Sequence, residues 1–217
     1  MTDPSTAACL VAKLKVKIAA MPPLVKFATA PFGILELNAD PAMPLTVRNV
    51  ESELKGHKLQ PQGAPGKLSK LKVASDADII KWMSRLEHFH ENFVKDGTGD
   101  TVESRRVSMM GKQPGLEKID LPTNSTSPRP FEVLGIPFKE PGYYVMEVQS
   151  QILGRSLLGE DKPMYVRTSA LVTNLALHVK IGRENGMLWV TTLDSGKAVA
   201  DAELHVSDCH GKMLWSG

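Results

Sequence analysis

Between Arg167 and Gly217 the side chains change character at every second residue, and that period favours β-strands. Leu171, Leu175, Leu177, Val179 and Ile181 fall on one parity, while Val172, Asn174, Ala176, His178 and Lys180 fall on the other and are mostly polar. A period of two marks a half-buried antiparallel strand. Asp194-Ser195-Gly196 and Asp208-Cys209-His210-Gly211 supply turns, with glycine free to take a positive φ. Ala202, Leu204 and Val206 then alternate with Glu203, His205 and Ser207. The stretch reads strand, turn, strand, turn, strand.

The chain upstream supports the same architecture. The 17 glycines and 15 prolines in 217 residues favour many turns. Lys13 to Ile18 alternates lysines with Leu14, Val16 and Ile18, which suits an exposed edge strand. Met21-Pro22-Pro23 breaks that strand, because proline donates nothing to a ladder. Further strands are expected at 35–37, 45–50, 131–138, 143–152 and 164–168. In 143–152, Tyr144, Met146, Val148 and Ile152 share a face, and the Gly142-Tyr143 opening is analogous to the tyrosine corner of sandwich folds. Residues 1–12 read as a frayed leader, His57 to Lys70 as a loop, and Pro122 to Pro130 as an extended loop. Within 98–130 the only β-like piece is Glu103 to Met110.

Ser75 to Val94 is the one clear helical pattern. Ser75 or Asp76 can cap it, and Asp78 adds negative charge to the first turn. Ile79, Met83, Leu86 and Phe93 repeat at helical spacing, with Trp82 and Phe89 widening the stripe. Such a helix is marginal alone in water, so it is expected to lie as an insertion across one sheet face. The expected fold is therefore mainly β. An antiparallel β-sandwich over 13–168 carries a helix near 75–95, and 169–217 forms the start of a second sandwich that exposes apolar positions such as Leu188 or Trp215.

Composition excludes several classes. Hydrophobic residues make 42% and charged residues 23% of the chain, which is ordinary for a soluble globular domain. A net charge of +2 gives no reason to expect a nucleic-acid or acidic-lipid partner. No apolar run approaches the roughly eighteen residues a spanning helix needs. The segment Met1 to Leu10 lacks the basic and apolar regions of a signal peptide. Cys9 follows Ala7-Ala8 as a lipoprotein acceptor would, but without the preceding apolar stretch. A Cys9–Cys209 disulfide is possible, and the spacing gives it no support.

Candidate chemistry is weak throughout. His88 and His90 point about 200° apart on a helix, so they cannot share a metal ion. Cys209-His210 places a thiol beside an imidazole in a tight turn, without a third orienting group. Gly182 to Gly186 lacks phosphate-loop spacing, and Ser125 and Ser127 lie outside any nucleophile elbow. Lys13, Lys15 and Lys17 have no interleaved aromatics, so a solvated edge suits them better than a polyanion site. Asn124-Ser125-Thr126 is a glycosylation sequon only in a secreting eukaryote. No catalytic, metal-binding, cofactor-binding or small-molecule residue is assigned, and an enzyme is not expected.

Several runs resemble the bacterial α2-macroglobulin family. They are Tyr165-Val-Arg-Thr, Leu171-Val-Thr-Asn-Leu, Gly182-Arg-Glu-Asn, Leu188-Trp-Val-Thr-Thr-Leu-Asp-Ser-Gly-Lys and Val199-Ala-Asp-Ala-Glu. Pro31-Phe-Gly-Ile, Pro44-Leu-Thr-Val-Arg-Asn-Val-Glu and Phe131-Glu-Val-Leu-Gly-Ile-Pro extend the likeness upstream. The resemblance implies macroglobulin-like sandwiches within a longer protease trap of the periplasm or cell envelope. It also implies a bait segment and a Cys-x-Glu-Gln thioester. Neither Cys9 nor Cys209 is followed by that motif, so no thioester residue carries over. The implied partners are neighbouring domains and target proteases through the full-length protein, and a cell-wall synthase is the partner considered for the alternative reading. A binding module built on the helix and the 98–130 loop is the alternative.

Overall fold

The structure is a computed structural model that describes residues 15–16, 21–48, 67–90, 93–119 and 132–217. Its elements run β1 (Leu24–Phe27), β2 (Phe32–Glu36), β3 (Ala42–Arg48), β4 (Lys67–Val73), α1 (Asp76–His90), β5 (Phe93–Lys95), β6 (Thr101–Glu103) and β7 (Glu117–Ile119). They continue with β8 (Glu132–Pro137), β9 (Gly142–Ser150), β10 (Met164–Thr173), β11 (Leu175–Ile181), β12 (Gly186–Thr192), β13 (His205–Ser207) and β14 (Met213–Ser216). A small sheet has the order β1-β3-β8, and a large sheet the order β2-β10-β9-β4-β7. Their pairings are antiparallel except β2 with β10, which is parallel.

Alternation builds the sandwich. Met43, Leu45 and Val47 of β3 all point inward and are fully buried. Tyr144, Met146 and Val148 of β9 meet them from the large sheet, together with Leu68, Ala170 and Val172. Tyr144 also donates its hydroxyl to the Glu140 carbonyl at 2.9 Å. The corner-type bond expected near Gly142-Tyr143 is thus made by the next residue.

The large sheet is buried on its other face as well. Leu71 and Val73 of β4 and Tyr143 and Val145 of β9 form a second core with Leu86 of α1. Ile79, Trp82 and Phe89 pack onto it, and Met109 and Met110 close it from the chain after β6. The helix therefore lies across a sheet face, as its stripe requires. Ser75 caps it by accepting from the Asp78 amide at 3.2 Å.

Several expectations are corrected. The helix stops at His90, and Phe93 and Val94 belong to β5. The cause is the following turn: the Asp96 carboxylate accepts from the Thr98 amide at 2.9 Å and the Asp100 amide at 3.1 Å, folding β5 back onto β6. Met83 of the expected stripe is 45% exposed and Phe93 58%. Lys67 to Lys70, expected in a loop, open β4. Leu68 serves one face of that strand while Leu71 and Val73 serve the other, so no single-face alternation is visible. The β-like piece after Glu103 is a helical turn over Ser104–Arg106, because Arg106 is drawn to Glu160 and Ser108 to Glu147. Of Lys13 to Ile18, Lys15 and Val16 are described; they are exposed and outside any strand, and the rest of that run lies outside the described residues. Residues 1–12, including Cys9, and the 122–130 loop with its sequon also lie outside them.

The junction expected at 168–169 falls inside β10. Residues Ser169 to Thr173 still pair with β2, and through Val172 with β9. One residue, Asn174, separates β10 from the β11–β12 hairpin. Leu177 faces Val190 and Val179 faces Leu188 across that hairpin. On this face Leu175, Leu177 and Val179 are each more than half exposed and Ile181 is 84% exposed. Trp215 in the β13–β14 hairpin is also exposed, whereas Leu188 is half-buried.

Candidate functional site

The chemistry of the chain concentrates along β10. Its register sets Arg167 directly across from Glu147 of β9, on the helix-facing side. Both side chains are almost wholly buried, with Nε and Oε2 3.5 Å apart. The Glu147 carboxylate accepts from the Ser108 hydroxyl and, at 2.9 Å, from the Met109 amide. Arg167 donates to the carbonyls of Phe89 at 3.1 Å, Ser104 at 3.0 Å and Val107 at 2.9 Å. Its guanidinium also sits 5.1 Å from the centre of the Phe89 ring. Burial pulls the Arg167 pKa down, and the Glu147 charge opposes that. A guanidinium keeps its proton even so. The pair thus ties the end of α1 and the 104–109 segment to two central strands.

A second polar cluster joins the large sheet to the segment that follows. The Asp194 carboxylate accepts from Asn38 and from Asn174, each at 3.1 Å. The Asn174 carbonyl accepts the Leu193 amide at 2.8 Å. Hydrogen bonds from Thr192, Asn38, Ser195 and Asn174 hold the Asp194 carboxyl at a pKa of about 2. Farther along, His205 of β13 lies between Asp76 at the start of α1 and Glu203, 3.1 Å from each. Those two carboxylates, Asp76 first, raise its pKa.

The described residues weighed for catalysis form no catalytic set. His88 and His90 end α1, with Phe89 between them packed in the second core. No metal-binding group of three or more His, Cys, Asp or Glu occurs among the described residues. Cys209 is a free, exposed thiol 3.6 Å from the His210 ring. The Asp208 carboxylate beside them is engaged by the His210 and Lys212 amides, so it does not orient the imidazole. The 182–186 segment is a tight turn in which the Gly182 amide donates to Asn185. No described helix is long and apolar enough to cross a membrane. Sequence reasoning missed the Glu147–Arg167 pair. Its signal was a lone charge in each of two apolar strands.

Residues 172–217 match the family model of the bacterial alpha-2-macroglobulin MG3 domain. No curated protein matches the sequence. Among solved structures, native alpha-2-macroglobulin from Escherichia coli spanning domains MG0-NIE-MG1 is similar at a TM-score of 0.52 and 15% identity, covering 91% of this chain and 54% of that one. A second structure of that protein, spanning NIE-MG1, is similar at a TM-score of 0.52 and 14% identity, covering 90% of this chain and 82% of that one. The chain therefore spans about half the length of the first structure. The matches differ in which domain they name and agree on the architecture. Residues 172–217 are thus similar to a bacterial alpha-2-macroglobulin MG3 domain, and the chain as a whole has the macroglobulin-like fold of the Escherichia coli structures.

Proposed function

We propose that this chain is a non-catalytic framework segment of a bacterial alpha-2-macroglobulin-like protease inhibitor, acting in the periplasm or cell envelope. In this reading it spaces a bait region and a capture region that lie elsewhere in the protein. The observation that carries it is the joint at Asn174. A strand bonded on both flanks passes into the β11–β12 hairpin with one intervening residue, and Asn38, Asn174 and Asp194 cross-link the turn. So short a joint restricts the angle between its two sides. The domain division that follows is a sandwich with a helical insertion ending with β10, whose last two residues already open the MG3-like match over 172–217.

Amide 15N relaxation tests this. One rotational correlation time shared by 24–173 and 175–217 is the expected result. Two separate correlation times would defeat the framework reading. The alternative, a binding module on α1 and the 98–130 loop, is favoured by Met83, which is 45% exposed. Ile79, Trp82, Leu86 and Phe89 of α1 are already used against Leu71, Val73 and Val145.

A further inference from the structure

We propose that His205 is a proton-dependent latch: as an imidazolium it fastens the β13–β14 hairpin to the start of α1, and on losing its proton it releases that hairpin from the helix. Its ring nitrogens show why. Nδ1 lies 3.1 Å from an Asp76 carboxylate oxygen, and Nε2 lies 3.1 Å from a Glu203 carboxylate oxygen. A neutral imidazole has one N–H and one lone pair, whereas an imidazolium donates from both nitrogens. An ionised carboxylate only accepts. Both contacts are therefore hydrogen bonds only when the ring is protonated. After proton loss, a nitrogen lone pair faces one carboxylate, and that contact turns repulsive. Glu203 is two residues away on the same segment, while Asp76 is 129 residues away on α1. The local contact needs no second element held in place, so the link to α1 is the one that yields.

Apolar packing does little to seat the hairpin. Its turn rests on the first turn of α1, where a Cβ added to Gly211 would sit 3.5 Å from the Ala77 Cα. Beside that contact a cavity of about 660 Å³ opens between Ile79 and Met83 of α1 and Ser207 and Cys209 of the hairpin. Val206, Met213, Leu214 and Trp215 are exposed and belong to neither core. The charges around the ring offer no substitute for the imidazolium. Asp76, Glu87, Glu203 and Asp208 border the cavity, and no lysine or arginine does so among the described residues. The Cys209 thiol brings no positive charge. The Asp208 carboxylate is held by the His210 and Lys212 amides, and Asp78, in the first turn with Asp76, is held by Ser75 and Lys81. Loss of the ring proton thus leaves Asp76 and Glu203 on either side of a neutral ring. Those carboxylates, Asp76 first, hold the His205 pKa above its ordinary value. The latch is therefore closed below about 6.5 and opens as pH rises through the folded value. It does not rest on the framework reading, since the Asn174 joint holds the β11–β12 hairpin; the shared correlation time expected there applies with the latch closed.

NMR on the full chain across a pH titration tests the latch. The cross-relaxation peak between the Ala77 methyl and the Gly211 α-protons should be present below the imidazole midpoint. It should be lost above that midpoint, in step with the His205 ring protons. Amide order parameters over 213–216 should fall from about 0.85 to below about 0.6 in the same interval. Those over 175–181 and 186–192 should not change. His205→Ala should lack the peak at every pH. His205→Lys, charged throughout, should keep it well past the imidazole midpoint. Four results would overturn the proposal. One is a wild-type peak that persists through the His205 titration. Another is a wild-type peak absent at every pH. The third is a loss that comes only with changes at the Asn174 and Leu193 amides, which means general unfolding. The fourth is His205→Ala keeping the peak. If neither variant folds, the wild-type titration decides.

Discussion

Replacing Arg167 with methionine should cost this fold about 3–5 kcal/mol, the usual penalty for leaving one partner of a buried ion pair behind. The structure explains why the upper part of that range is reasonable. Glu147 is 4% exposed and would keep its charge with only the Ser108 hydroxyl and Met109 amide to solvate it. The carbonyls of Phe89, Ser104 and Val107 would lose their donors in the same step. Urea denaturation followed by circular dichroism would read the effect. With a slope near 2 kcal/mol per molar, the midpoint should fall by roughly 2 M. The double variant Arg167→Met/Glu147→Gln should recover part of the loss, because a neutral amide can still accept from Ser108 or Met109 without a buried charge. A single-variant cost below about 1 kcal/mol, or strict additivity in the double variant, would refute the claim that this pair holds the insertion on the sheet.

Three other outcomes follow from local geometry. Gly154→Ala should destabilise by about 2–3 kcal/mol, since a Cβ there would collide with the Lys162 carbonyl, whereas Gly97→Ala has open space around it and should be near neutral; thermal melts of both variants compare them. The Asp194 contacts should survive mild acid. Their contribution is present above the unfolded value near 3.9 and is lost only as pH falls through about 2, which the Asn174 and Leu193 amide shifts would follow. The His205 bridge has the opposite sign. Its raised pKa makes its contribution complete below about 6.5 and lost as pH rises through the folded value, and Asp76→Asn should move the imidazole titration back toward the ordinary range in a proton NMR titration.

Much of the sandwich was legible because one buried face leaves a period of two. Tyr144, Met146 and Val148 share the inner face of β9 as their parity requires. The helix was legible in type, although its end was set by the Asp96 turn, which a stripe count cannot weigh. Where a strand is covered on both faces, the alternation disappears. β4 shows this: Leu68 and Leu71 serve different cores, so the strand looked like loop. Met109 and Met110, two fully buried residues in irregular chain, carry no periodic signal. The Glu147–Arg167 pair was harder, since it depends on the β9–β10 register. A lone Glu in Val145-Met146-Glu147-Val148 and a lone Arg in Tyr165-Val166-Arg167-Thr168 were each visible, but only the ladder makes them neighbours. The exposed leucines of β11 show the converse. Their parity was read from the sequence, but parity alone does not say whether a second layer covers them.

The double flanking of β10 also decides how tension would pass through the chain. β9 grips it over Met164–Val172 and β2 over Ser169–Thr173, and the next segment begins one residue later. A pull on that segment acts nearly along the strand axis, so the ladder bonds on both flanks are loaded in shear and must yield together. The β11–β12 hairpin has only its own two strands and can be peeled one bond at a time. Tension entering from the C-terminal side would therefore strip the hairpins first and leave β10 seated.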